Sequence, residues 1–291
     1  MSRIVVLGDV MVDVVAQLAG PVAPGSDAPS RNSFHGGGQA ANTAAWLAAA
    51  GERPLLVARV GDDPLGRDAL ASLERAGVDA RVAIDPDEAT GTCVVLVGTD
   101  GERTMMPDAG ANDRLRVQDL PDEVLAPGAH LHVAGYALLR AGSRPAARAA
   151  IERALGAGMT VSVDPSSAAL LSPASLALMA GASLLLPNEL EAEALTGEGD
   201  PELAARLLAG QADEVVVTLG PAGALWTDGT SVRRAAAPAV AEACDSTGAG
   251  DAFAAGLLAA RLRGAGPQEA LAEGSRLAAR AVASEGARPR I

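Results

Sequence analysis

Hydrophobic and polar positions follow two rhythms along this chain. Short runs such as Ile4-Val5-Val6-Leu7 and Leu55-Leu56-Val57-Ala58 are apolar without interruption and rich in branched residues. That is the pattern of parallel strands buried on both faces. It predicts strands over residues 3–8, 55–60, 130–133, 159–163, 183–186 and 214–218. Between them lie longer segments with helical spacing, over 39–50, 63–77, 143–157, 189–195, 201–209, 248–263 and 267–285. The segment from Gln39 to Ala50 is apolar nearly all round and closed by Gly51, which reads as a buried helix with a glycine at its C-terminus. Asp63-Pro64 reads as an N-cap followed by proline at the first helical position.

Strands alternating with helices predict an α/β fold: a mostly parallel sheet in a three-layer, Rossmann-like core. Two segments break the alternation. Residues 14–36 are rich in Pro, Gly and Ser with short extended pieces, and residues 90–106 contain two β-like runs around Asp100-Gly101, a hairpin turn. Both read as parts of a small β-sheet lid inserted into one domain spanning 1–291.

Composition narrows the chemistry. With 291 residues, 49% of them hydrophobic, the chain can bury a large core. Its net charge of −13 and lack of a basic cluster argue against nucleic acid or anionic membranes as partners. All 23 basic residues are Arg. The absence of Lys excludes a Walker-type P-loop and a Schiff-base lysine. Cys93 and Cys244 are isolated and, with His35, His130 and His132, form no metal-ligand pattern. No apolar stretch reaches the ~20 residues of a membrane span. The N-terminus runs straight into a strand-like segment with no signal-peptide pattern, so a cytoplasmic location is expected.

The most informative segment is Asp245-Ser246-Thr247-Gly248-Ala249-Gly250-Asp251, followed by an apolar helix. Unpaired N–H groups at a helix start bind anions, and glycines let a phosphate approach the backbone. A carboxylate beside such a nest repels a phosphate but can take a proton from a hydroxyl attacking it. The segment therefore suggests phosphoryl transfer to an alcohol, with Asp251 as base and the amides of Gly248, Ala249 and Gly250 as anion hole. A carboxylate at the end of the first strand, in Gly8-Asp9-Val10-Met11-Val12-Asp13, can accept hydrogen bonds from sugar hydroxyls. Gly36-Gly37-Gly38-Gln39-Ala40-Ala41-Asn42 opens a helix with glycines that permit close ligand approach. Gly61-Asp62-Asp63-Pro64-Leu65-Gly66 reads as a cap and tight turn. Asn188 and Glu191, three apart at a helix start, share one face and suit water-mediated Mg²⁺ binding. Val217-Thr218-Leu219-Gly220-Pro221-Ala222-Gly223 is a strand end and turn able to pass beside a nucleotide.

The 245–251 segment closely resembles the C-terminal signature of the ribokinase-like (PfkB) family of carbohydrate and nucleoside kinases, and the other segments follow in family order over nearly the whole chain. The resemblance implies a Rossmann-like core with a β lid over the sugar. It implies that Asp13, Gly37, Gly38 and Asn42 hold the sugar, that Asn188, Thr218, Gly220 and Gly223 serve the nucleotide, and that Glu191 serves Mg²⁺ through water. It also implies a monovalent cation such as K⁺ beside Asp245, and a homodimer formed through the lid.

The expected activity is that of an ATP-dependent sugar kinase acting on a hydroxymethyl group. Two departures bear on the sugar. The segment Asp164-Pro165-Ser166-Ser167-Ala168 lacks the Arg of an Asp-x-Asn-x-Arg pattern carried by several fructokinase- and ketodeoxygluconate-kinase-like members, which argues against an acidic sugar, and aromatic residues are 2% of the chain, few for stacking a nucleobase. A small neutral sugar, ribose- or fructose-like, is therefore expected, with a nucleoside kinase or a non-catalytic sugar-binding regulator of the same fold as alternatives. A dinucleotide oxidoreductase is disfavoured, because the first strand ends without Gly-x-Gly-x-x-Gly.

Overall fold

The structure is a computed structural model that describes residues 4–22, 24–121, 126–241 and 243–290. Seven parallel strands form most of the large sheet: β1 (Ile4–Leu7), β4 (Leu55–Gly61), β5 (Asp79–Asp85), β8 (His130–Ala134), β9 (Thr160–Asp164), β10 (Leu184–Leu185) and β11 (Glu214–Thr218). Strands β12 (Ala224–Thr227) and β13 (Val232–Ala235) extend one edge antiparallel. The order is β13-β12-β11-β10-β9-β8-β1-β4-β5. The small sheet, β3-β2-β6-β7, is built from β2 (Met11–Leu18), β3 (Ser30–Gly37), β6 (Gly91–Val97) and β7 (Arg103–Asp108). It starts at Met11 and ends at Asp108, slightly outside the two β-like segments expected from the sequence.

The unbroken apolar runs have a direct explanation in the two faces of the large sheet. In β1, Ile4 and Val6 pack into one core with α1 (Gln39–Ala49), α7 (Ala249–Leu262) and α8 (Pro267–Val282). Val5 and Leu7 point the other way, into a core with α4 (Arg144–Gly156), α5 (Glu189–Thr196) and α6 (Pro201–Leu208). Both faces are buried, which favours apolar residues at every position of β1. Helices α2 (Pro64–Arg75) and α3 (Gly135–Leu139) complete the layers. Among the described residues, no helix is long and apolar enough to cross a membrane.

Several boundaries differ from the sequence reading. Strand 183–186 shrinks to Leu184–Leu185, the last helix stops at Val282, and β5, β12 and β13 are additional strands. Arg3, expected in the first strand, lies outside the described residues. Asp63 caps α2 by accepting from Gly66 N at 2.8 Å, and its other oxygen accepts from Thr90 N at 2.7 Å. The capping reading of this segment therefore holds, and the same carboxylate braces the chain entering β6. Asn112 closes a similar bracket on the other side: it accepts from Val10 N and donates to Val10 O, both at 2.9 Å.

A buried ion-pair network holds the β4–β5 edge. The Arg59 side chain is 7% exposed and donates to Asp85 (2.8 Å, 0% exposed) and to Asp119 at 3.0 Å. Burial would raise the Asp85 carboxyl, but the Arg59 guanidinium and the amides of Asp87 and Glu88 outweigh it and hold it below its ordinary value. Arg59→Met strands Asp85 in the interior and is expected to lower stability by about 3–5 kcal/mol. Urea denaturation measures this, and a loss no larger than that of an exposed pair would show that Arg114, 3.3 Å from Asp85, takes over.

Candidate active site

The candidate site lies where ligands of open α/β sheets bind, beyond the carboxyl ends of the strands. Asp9 follows β1, Asp164 ends β9, Asn188 follows β10 and Thr218 ends β11. The small sheet stands beside this edge, because β2 continues directly from the loop after β1.

Asp251 sits in the first turn of α7. Its Oδ2 accepts from Asn42 Nδ2 of α1 at 2.9 Å. Burial pushes the Asp251 carboxyl up to about 7; Asn42 and Arg288 pull it down, and Asp9 and Asp13 push it further up. Gly248 caps the helix with φ of 76°, and a Cβ there would lie 2.4 Å from Ala287 O, so only glycine fits. Among the described residues, the N–H groups of Gly248 and Gly250 make no hydrogen bond, whereas Ala249 N closes a turn onto Ser246 O at 3.2 Å. Of the three amides expected to form the anion hole, Gly248 and Gly250 are thus free in this structure and Ala249 has a turn partner.

The expected acceptor residues converge. Asp13 on β2 is 8% exposed, and burial pushes its carboxyl up to about 6 against the pull of Arg288 and His35. Gly37 is required beside it, since a Cβ would lie 2.3 Å from Asp13 Oδ1. Gly38 has φ of 90° and precedes α1, whose next turn carries Asn42. Asp9 accepts from Ala40 N through Oδ1 at 3.2 Å and from Ala41 N through its carbonyl, so it caps α1.

Thr218, Gly220 and Gly223 line a cavity of about 510 Å³ with Val240, Phe253 and Ala279, mostly apolar and of a size to admit a nucleotide base and ribose. A smaller cavity of about 130 Å³ adjoins it through Thr218, Gly250 and Phe253 and reaches Asp164, Glu191 and Asp251. Asn188 and Glu191 meet differently from the shared helix face expected. Asn188 is the N-cap of α5, and the two form a reciprocal capping box at 2.9 Å in each direction. Burial raises both Asp164 and Glu191, and their mutual repulsion adds to the rise at Asp164. Asp164 carries no role in the sequence reading; only its position ending a β-branched strand beside the cleft could have singled it out.

Asp245 departs most from expectation. Arg103 of β7 donates to its Oδ1 at 2.8 Å and also reaches the Thr247 hydroxyl, while Thr247 N (2.8 Å, to Oδ1) and Gly286 N (3.0 Å, to Oδ2) donate as well. Burial raises this carboxyl, but these partners outweigh it and keep it low. A monovalent cation beside Asp245 does not fit the carboxylate as it stands, because a guanidinium already meets it. Arg103 and Arg288 are also absent from the sequence reading; Arg288 donates from Nε to Asn42 Oδ1 at 3.1 Å and from Nη2 to Gly37 O at 2.6 Å.

A free pair of amides at a helix start, a carboxylate beside them, and a polar cradle next to a nucleotide-sized cavity are the parts of an alcohol phosphotransferase. The family model for pfkB family carbohydrate kinases matches residues 1–291. The chain belongs to the pfkB family of carbohydrate kinases. It is 34% identical over 274 residues to a fructokinase of Klebsiella pneumoniae, covering 89% of this chain and 84% of that protein. It is 31% identical to an ATP-dependent ribose-1-phosphate kinase of Halopiger xanaduensis, over 99% and 94% of the two chains. The fructokinase of Vibrio cholerae, solved with fructose, ADP and calcium ion, superposes with a TM-score of 0.83 at 31% identity, over 99% and 94%. This pfkB protein is thus a phosphotransferase whose acceptor is a sugar hydroxyl.

Two measurements test Asp251. Asp251→Asn is expected to lower kcat by about 10²–10⁴ while nucleotide binding persists. A general base works deprotonated, so a base raised to about 7 makes kcat/KM fall as pH drops below neutrality, and more steeply once Asp13 also protonates near 6. A profile flat down to pH ~5 would show that Asp251 titrates as an ordinary carboxylate, near 4, in the working enzyme, and the Asn variant alone would then decide its role.

Proposed function

We propose that this protein is an ATP-dependent kinase that transfers the γ-phosphate to a hydroxymethyl group of a small sugar. The observation that carries the reading is Asp251, placed by Asn42 at the junction of the acceptor cradle and the free amides of Gly248 and Gly250. Asp13, the backbone at Gly37 and Gly38, and Asn42 orient the sugar. The acceptor oxygen attacks the γ-phosphorus as the bond to the bridging oxygen of ADP breaks, and its proton passes to Asp251. The N–H groups of Gly248 and Gly250 meet the charge on the transferred group. The base and ribose of ATP occupy the larger cavity beside Thr218, Gly220 and Gly223, where the Ser275 hydroxyl is buried without a partner and offers a donor to the base.

A divalent cation fits the smaller cavity. Asp164 and Glu191 are buried carboxylates with raised affinity for a proton, and no basic residue lines the space. Mg²⁺ keeps most of its waters and needs few direct protein ligands. Asp164 and Glu191, with Asn188, would hold it through those waters, and when bound it neutralises phosphate charge.

The small sheet acts as a lid, joined to the 245–251 motif by the Arg103–Asp245 pair, and excludes water that would otherwise hydrolyse ATP. The same guanidinium takes the place of the K⁺ that the resemblance puts beside Asp245. Its outer face carries Val14, Phe34, Val94 and Met106 in one row across the four strands, with Phe34 67% and Met106 47% exposed. A second copy of the chain covers this row in a dimer; a monomer by light scattering at micromolar concentration would overturn that. A cytoplasmic location is part of the same reading, since ATP is its phosphate donor.

The transfer reading is tested by ADP release with Mg²⁺ and ATP against a sugar panel. A sugar-dependent signal is expected, and Glu191→Gln should raise the Mg²⁺ concentration needed for half-maximal rate. Sugar binding without ADP release would favour the regulator instead.

A further inference from the structure

The acceptor cradle contains a guanidinium that the transfer chemistry leaves unused. Arg288 follows the last helix, and its backbone is anchored: Gly286 N donates to Asp245 at 3.0 Å, and Trp46 Nε1 donates to Ala287 O at 2.9 Å. Nε and Nη2 are engaged by Asn42 and Gly37, but Nη1 is buried and has no hydrogen-bond partner. Asp13, Asp251 and Asp9 act on the guanidinium through space and not by contact. An unpaired donor on a buried charged group is costly and is retained where a ligand completes it.

Two further features show that the position is built for this side chain. A Cβ at Gly36 would lie 2.5 Å from Nη1, so the glycine leaves room for the guanidinium. A separate cavity of about 260 Å³ opens at the same end, lined by His35, Arg288 and Arg290 against one acid, Glu285. Glu285 is exposed and lies 3.6 Å from Arg290. In a chain of net charge −13, the lining of this cavity is basic. His35 shares the inward face of the lid with Asp13, its register partner.

Nη1 carries two N–H donors on a cation, and a charge-assisted bond from them to a carboxylate or phosphate oxygen is stronger than one to a neutral sugar hydroxyl. We propose that Arg288 binds an anionic group on the acceptor, so that the substrate class is a sugar phosphate or sugar acid in place of a neutral sugar. The proposal rests on the transfer reading above and names its substrate. It also answers the missing Arg of residues 164–168: the cation enters the cradle from the C-terminal tail.

The test uses matched pairs: fructose with its monophosphates, ribose with its monophosphates, and ketodeoxygluconate as a carboxylate probe. For each, kcat/KM is measured by ADP release and Kd by calorimetry with a non-hydrolysable ATP analogue. The anionic member is expected to be preferred by on the order of 10²-fold, with Arg288→Met erasing the preference and Arg288→Lys keeping part of it. If Arg288→Met does not fold, seen as loss of nucleotide binding, the Lys variant carries the comparison. A neutral sugar as the better substrate, or equal losses for both members, would overturn the proposal and leave Arg288 as a support for Asn42 and Gly37. Anionic sugars that bind through Arg288 without ADP release support it while overturning the kinase reading.

Discussion

The hydrogen bond from Asn42 to Asp251 is the contact around which the site is arranged. It joins the first turns of α1 and α7, elements 209 residues apart in sequence. Each helix start is prepared by its own device. Asp9 and Gly38 set the entry to α1, and Gly248 sets the entry to α7. The C-terminal tail then wedges between them: Ala287 O accepts from Trp46 on α1, and its backbone presses on Gly248. A Cβ at Gly248 would have to displace backbone, not a flexible side chain. The glycine is thus demanded by the tail as much as by the phosphate.

The second constraint is electrostatic. Asp9, Asp13, Asp164, Glu191 and Asp251 crowd one cleft, and burial raises all of those whose titration is clearly shifted. Without cations, such a cleft would repel ATP. The protein supplies Arg103 from the lid and Arg288 from the tail, one at each side of the 245–251 motif. Both are fixed guanidiniums, in a chain without Lys. The phosphate end keeps only carboxylates, so positive charge there must come from an exchangeable ion.

Much of this organisation is legible in the sequence, and the reasons for the rest are physical. Strands buried on both faces leave an unmistakable apolar run, and a glycine-rich helix start ending in Asp states its chemistry locally. The antiparallel β12 and β13 leave a weak signal because they are short and at an edge. Asn188 and Glu191 were legible as a pair but not as a capping box, since spacing alone does not say whether the first residue is inside the helix or caps it. Asp245 pairs with a residue 142 positions away, and Arg288 lies in an irregular tail; neither partnership has a periodicity to betray it.

The value of Asp251 near 7 follows from a balance between burial and its neighbours, to which the tail contributes. Burial alone would keep this carboxyl protonated and idle as a base. Asn42 and Arg288 oppose burial, the first by donating to the ionised form and the second by its charge. Arg288 is itself depressed by burial, to about 10, yet remains cationic at neutral pH and so retains its influence. When an anionic group on the acceptor engages Nη1, part of that charge is neutralised and Asp251 is pushed toward holding a proton. On the proposal that Arg288 binds the anionic group of the acceptor, recognition of the acceptor and the proton affinity of Asp251 meet at the guanidinium that Asn42 and Gly37 hold in place.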